Sequence, residues 1–61
     1  MFSPYAYSNT ILFDQANEHY KKQEYNEAIE LYLELINTNY ITTATFYNLG
    51  NSYYRNKNYV R

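Results

Sequence analysis

Apolar positions recur along this chain at three- and four-residue spacing, in three separate stripes. Leu12, Ala16, His19 and Tyr20 form the first, and Ala28, Ile29, Tyr32, Leu35 and Ile36 the second. Phe46, Leu49, Gly50 and Tyr53 form the third. Such spacing gathers each set on one side of an α-helix and leaves the polar residues between them facing outward. The pattern predicts helices over about Thr10–Lys22, Asn26–Asn37 and Thr43–Asn56. Asn9 or Thr10 and then Asn26 are the expected N-caps, because a short polar side chain can accept from the orphan amides of a first turn. Gln23-Glu24 and Asn37-Thr38-Asn39-Tyr40-Ile41-Thr42 are the expected breaks, the second rich in residues that compete for backbone hydrogen bonds. Glu27, Glu30 and Glu34 fall away from the second stripe and read as a solvated acidic edge. Gly50 lies in mid-helix, where it costs about 1 kcal/mol relative to alanine. The expected reason is a second helix packed against its backbone.

The stripes also repeat. A shift of 34 residues lays Phe13-Asp14-Gln15-Ala16-Asn17-Glu18-His19-Tyr20 under Tyr47-Asn48-Leu49-Gly50-Asn51-Ser52-Tyr53-Tyr54, pairing Ala16 with Gly50, Asn17 with Asn51 and Tyr20 with Tyr54. Leu12 then falls under Phe46, and Tyr25 under Tyr59. The chain divides on this basis into a leader over residues 1–8, irregular or a short cap, a complete repeat over 9–42, and the first helix and turn of a second repeat over 43–61. The expected fold class is all-α: an antiparallel helical hairpin plus one further helix, a fragment of an α-solenoid.

Composition narrows the chemistry. At 61 residues the chain is short for a stable core, since a domain of that size buries only about 60% of its extended surface. It has no cysteine, hence neither disulfide nor thiolate metal site, and its single histidine has no partner for a zinc shell. Five basic and six acidic residues give a net charge of −1, which argues against nucleic-acid binding and against attraction to anionic lipid. No window approaches the apolar length of a membrane span, so direct insertion by these residues is not expected. Ten of the residues are tyrosine, which fills space and keeps a polar tip for water or a partner. No phosphate-binding glycine loop, serine elbow or Cys-His pair is present, and the expectation is a non-enzymatic protein without metal or cofactor. His19 lies on the stripe that Tyr53 occupies in the second copy and reads as a core or interface residue rather than a general base.

Phe46, Leu49, Gly50 and Tyr53, the looser first copy Leu12, Gln15, Ala16 and His19, and then Tyr25 and Tyr59, Ala28 and Tyr32 resemble the signature of tetratricopeptide repeats, a helix–turn–helix unit with a 34-residue period. Tyr40 stands where the family places a proline near the repeat end. The asparagine- and tyrosine-rich helix, with Glu24-Tyr25-Asn26-Glu27-Ala28-Ile29 at the turn, is similar to the repeats of bacterial aerotolerance-operon proteins, which implies an envelope-associated setting, or a cytoplasmic one, within a longer protein. The family stacks its hairpins into a right-handed superhelix whose first helices line a concave groove. That resemblance implies a groove of Phe13, Asn17 and Lys21 from the first helix and Tyr47, Asn51, Tyr54 and Arg55 from the third. The expected function is protein–protein interaction, with a peptide or protein segment held on that groove. Asn17 and Asn51 would bond the peptide backbone, Phe13 and Tyr47 would hold apolar side chains, and Lys21 and Arg55 would meet a carboxylate. The carboxylate clamp of chaperone-binding relatives is matched at Asn17 and Asn48 but departed from at Phe13, which replaces a lysine.

Two further expectations stand beside that one. Asn17 and Asn51 could instead bond between adjacent helices, making the chain a structural or self-associating module whose third helix, left with Phe46, Leu49 and Tyr53 uncovered, pairs with another copy. The chain could also serve as an accessory domain of a larger envelope-associated protein.

Overall fold

The computed structural model describes residues 8–56 and contains three helices: α1 (Asn9–Lys21), α2 (Tyr25–Asn37) and α3 (Thr43–Asn56). No strand occurs among the described residues, and the three helices pack on one another. The expected all-α hairpin plus one helix is therefore the observed fold. The leader through Tyr7 and the turn after Asn56, with Tyr59, lie outside the described residues.

Helix starts differ in detail from the sequence expectation. Ser8, not Asn9 or Thr10, caps α1: its Oγ accepts from the amide of Ile11 at 3.2 Å. Asn26 does not cap α2, which already begins at Tyr25 after Glu24 and has no side-chain cap. Asn26 instead accepts from Asn56 Nδ2 at 2.7 Å, tying the start of α2 to the end of α3. Thr42 caps α3 through Oγ1, which takes the amide of Thr45 at 3.0 Å.

Both turns close in the same way. After α1, the amides of Gln23 and Glu24 donate to the carbonyls of Tyr20 and His19. After α2, those of Asn39 and Tyr40 donate to Ile36 and Leu35. These are paired 5→2 and 6→1 bonds, which require a left-handed residue after the helix cap. Gln23 (φ 65°) and Asn39 (φ 67°) occupy those positions. Asparagine tolerates this conformation, whereas Gln23 carries the Cβ penalty that glycine would avoid. Tyr40 donates its amide to this closure, a bond that a proline there could not make.

The core sits between the hairpin helices. Ala16, Ala28, Ile29, Tyr32, Leu35 and Leu49 are buried, with Leu12, Phe13, Tyr20, Leu31, Ile36 and Tyr40 packed around them. Ala16 and Ala28 are wholly buried, and their small side chains let α1 and α2 approach closely. The inward stripe of α2 is the one expected from its sequence.

The inward face of α3 keeps only Leu49 of the set expected. Thr45, Leu49 and Ser52 are buried, while Phe46, Gly50 and Tyr53 are exposed. A Cβ added to Gly50 would meet no atom within 4 Å, so the close helix contact expected there is absent. The reason is geometric. Residues 45, 49 and 52 form the side of α3 that reaches α2, and the side carrying Phe46, Gly50 and Tyr53 has no described helix against it. Of the two expected places for His19, the core is excluded: it is half-exposed at the end of α1, its Nδ1 2.6 Å from Glu24 Oε1. This is the one contact of salt-bridge geometry among the described residues.

Candidate functional site

Tyrosine and asparagine side chains join the three helices. Tyr32 is buried on α2, and a buried phenol must find a partner for its hydroxyl. It donates to Asn17 Oδ1 on α1 at 2.5 Å. Asn48 Nδ2 on α3 reaches both Asn17 Oδ1 (3.2 Å) and Tyr32 Oη (3.1 Å), closing a triangle with one member from each helix. One turn further along, Asn51 Nδ2 donates to Tyr20 Oη. The pairs 17/48 and 20/51 share a sequence offset of 31 residues, so α1 and α3 run parallel and in register here. Burial pushes the Tyr32 phenol above its ordinary value of 10.0, the bond from Asn48 opposing and the nearby Tyr20 adding to that shift.

An aromatic cluster continues this seam. Tyr20 meets Tyr25 and Tyr32 edge-on, with ring centroids 6.0 and 6.5 Å apart. The Arg55 guanidinium lies 5.7 Å from the centre of the Tyr25 ring, within reach of a cation–π attraction.

The seven groove residues expected from the sequence thus have different surroundings. Asn17 and Asn51 bond between helices, as the structural alternative anticipated. Arg55 turns to Tyr25, and half-buried Phe13 packs against Tyr40 with ring centroids 6.0 Å apart. Lys21 is exposed at the end of α1, and Tyr47 and Tyr54 are exposed on α3. The residues that reasoning from the sequence underweighted are Tyr32 and Asn48, which complete the triangle. The available signal was a phenol in an otherwise aliphatic stripe, facing helices that each carry asparagine at the matching depth.

Each bonded asparagine retains one polar atom unused among the described residues. Asn17 accepts twice through Oδ1 and keeps Nδ2 as a donor. Asn51 donates through Nδ2 and keeps Oδ1 as an acceptor. One donor and one acceptor on adjacent parallel helices match the alternating groups of an extended peptide backbone.

Among the described residues no group of three or more histidine, cysteine, aspartate or glutamate side chains could hold a metal ion. No described helix is long and apolar enough to cross a membrane. The chain matches no protein-family model, no curated protein and no solved structure.

Proposed function

We propose that this chain is a non-enzymatic interaction module of tetratricopeptide-like architecture, which holds an extended segment of a partner protein along the adjoining sides of α1 and α3. The observation that carries this reading is the pair of unused amide atoms, Asn17 Nδ2 and Asn51 Oδ1, on helices held parallel by those same side chains. Exposed Tyr47 and Tyr54 flank them and offer flat apolar surface with polar tips. Lys21 adds a positive charge at the end of α1, suited to an acidic residue or terminal carboxylate of the segment. The 34-residue repetition of Phe13, Asn17, Tyr20 and Lys21 as Tyr47, Asn51, Tyr54 and Arg55 supports the assignment to this family of repeats. The similarity to aerotolerance-operon repeats extends the proposal to a bacterial envelope-associated assembly.

Binding of labelled peptides, followed by fluorescence anisotropy, tests the groove. Tyr47 is the cleanest probe because it is exposed and lies outside the interhelical bonds. Tyr47→Ala should weaken a bound peptide about tenfold, the loss of one aromatic contact, without lowering the thermal midpoint. Undiminished affinity in that variant would overturn the assignment of the groove.

A further inference from the structure

The side by which α3 packs on the hairpin has a counterpart on α1, one 34-residue shift earlier in the chain. On α3 that side is Thr45, Asn48, Leu49 and Ser52, at the three- and four-residue spacing of one helix face. Thr45, Leu49 and Ser52 are buried. Asn48 is half-buried, and its Nδ2 donates to Asn17 Oδ1 and Tyr32 Oη. The seam is therefore uncharged, and its amide meets the hairpin as a donor. The counterparts on α1 are Ile11, Asp14, Gln15 and Glu18, and all four are exposed.

We infer that this side of α1 is an end face, on which a hairpin of the same kind does not stack, so that a stack of such units stops at α1. A hairpin placed there would meet Ile11, Asp14, Gln15 and Glu18 where the hairpin of this chain meets the α3 seam. Three of the four conflict with that seam, each for its own reason. Asp14 stands for Asn48, and an ionised carboxylate has no proton to give the two oxygens that Asn48 meets as a donor. Gln15 stands for Leu49 and would bring an amide into the apolar core cluster. Glu18 stands for Ser52, which is wholly buried, and would carry a charge out of water against a helix, α2, that has no basic residue. Only Ile11, in place of Thr45, brings neither charge nor amide. Repeat arrays need such polar faces at their ends to stay soluble. The inference rests on the tetratricopeptide-like reading proposed above, in which α1 and α3 are equivalent helices. It adds where the stack, and the groove along it, comes to an end.

Duplicating the repeat within the natural chain tests the inference. Residues 1–42 followed by residues 9–61 set a second Asn9–Lys21 helix after Thr42, where α3 stands in the natural chain. One tandem keeps the second copy as it is, and the other carries Asp14→Asn, Gln15→Leu and Glu18→Ser there, the residues of the α3 seam. Urea unfolding followed by circular dichroism gives a slope that scales with the surface exposed in one cooperative step. The substituted tandem should unfold in a single transition about 1.5 times as steep as that of the natural chain. The unsubstituted tandem should keep the natural chain's slope and midpoint, because its added hairpin has no seam to close on. A single steep transition in both tandems would overturn the inference. A steep transition in neither would overturn the equivalence of α1 and α3, and the reading beneath the inference with it. In the natural chain the same three substitutions lie at exposed positions and should lower the thermal midpoint by no more than about 5 °C. A larger drop would mean that these residues serve the fold of α1 itself, which also contradicts an end face.

Discussion

Ala16 and Gly50 occupy the same place in the 34-residue repeat and live in opposite environments. On α1, Ala16 is wholly buried because α2 lies across it with Ala28, Ile29, Tyr32 and Leu35. On α3, Gly50 is exposed, and its aromatic neighbours face outward. The helix pattern is similar in both copies, so the difference lies in the neighbour. A hydrophobic stripe records which side of a helix is suited to being covered, while burial requires that a covering element be present. Here α1 meets that requirement through α2, and α3 is held mainly by its other side, where Thr45, Leu49 and Ser52 meet the hairpin.

The two regions should therefore respond unequally to truncation of an apolar side chain. Leu35→Ala empties a fully buried position and should cost about 3 kcal/mol, a large share of the stability of so short a chain. Phe46→Ala removes a larger side chain from an exposed position and should cost less than about 0.5 kcal/mol in the dilute monomer. Urea unfolding followed by circular dichroism measures both. Equal losses would break the distinction between the covered and uncovered stripes.

A smaller effect concerns the polar bonds that link the regions. Tyr32→Phe keeps the ring and removes the bonds to Asn17 and Asn48, for an expected loss of about 1–2 kcal/mol at neutral pH. It should also change the alkaline limb. The folded chain holds the neutral phenol more strongly than the unfolded chain does, because the folded value is raised. The folded state therefore binds more protons once the unfolded phenol begins to ionise. The stability contributed by Tyr32 is complete below its ordinary value of 10.0 and is lost as pH rises from there through the folded value. Unfolding measured across that window should decline less steeply in Tyr32→Phe than in the parent. An identical decline would mean that burial of Tyr32 does not couple folding to this ionisation.

Much of the fold was legible from residue order. The α2 stripe of Ala28, Ile29, Tyr32 and Leu35 is uninterrupted and has a single solution, so both its helix and its inward face are as expected. For α3 the helix was legible, with the expected bounds, but its buried side was not. Thr45 and Ser52 are small and polar, yet both are wholly buried on α3; hydrophobicity carries no trace of that. Ser52 Oγ has no hydrogen-bond partner among the described residues, a cost that a sequence pattern could not announce. The groove was legible in its residue types and less so in their use. Asn17, Asn51 and Arg55 lie on the helices expected, but each is engaged within the chain. An asparagine can serve a neighbouring helix, a ligand or both, and only the position of Tyr20 and Tyr32 decides which of its atoms remain.

The most direct test of the contrast between the two helices is amide hydrogen exchange at Ala16 and Gly50, read residue by residue by NMR in dilute solution. At low concentration the Ala16 amide should exchange at least about tenfold more slowly than that of Gly50, because opening α1 uncovers the core and opening the outer side of α3 does not. Equal protection of the two amides in dilute solution would contradict the claim that, among the described residues, the Ala16 side of α1 is covered and the Gly50 side of α3 is not.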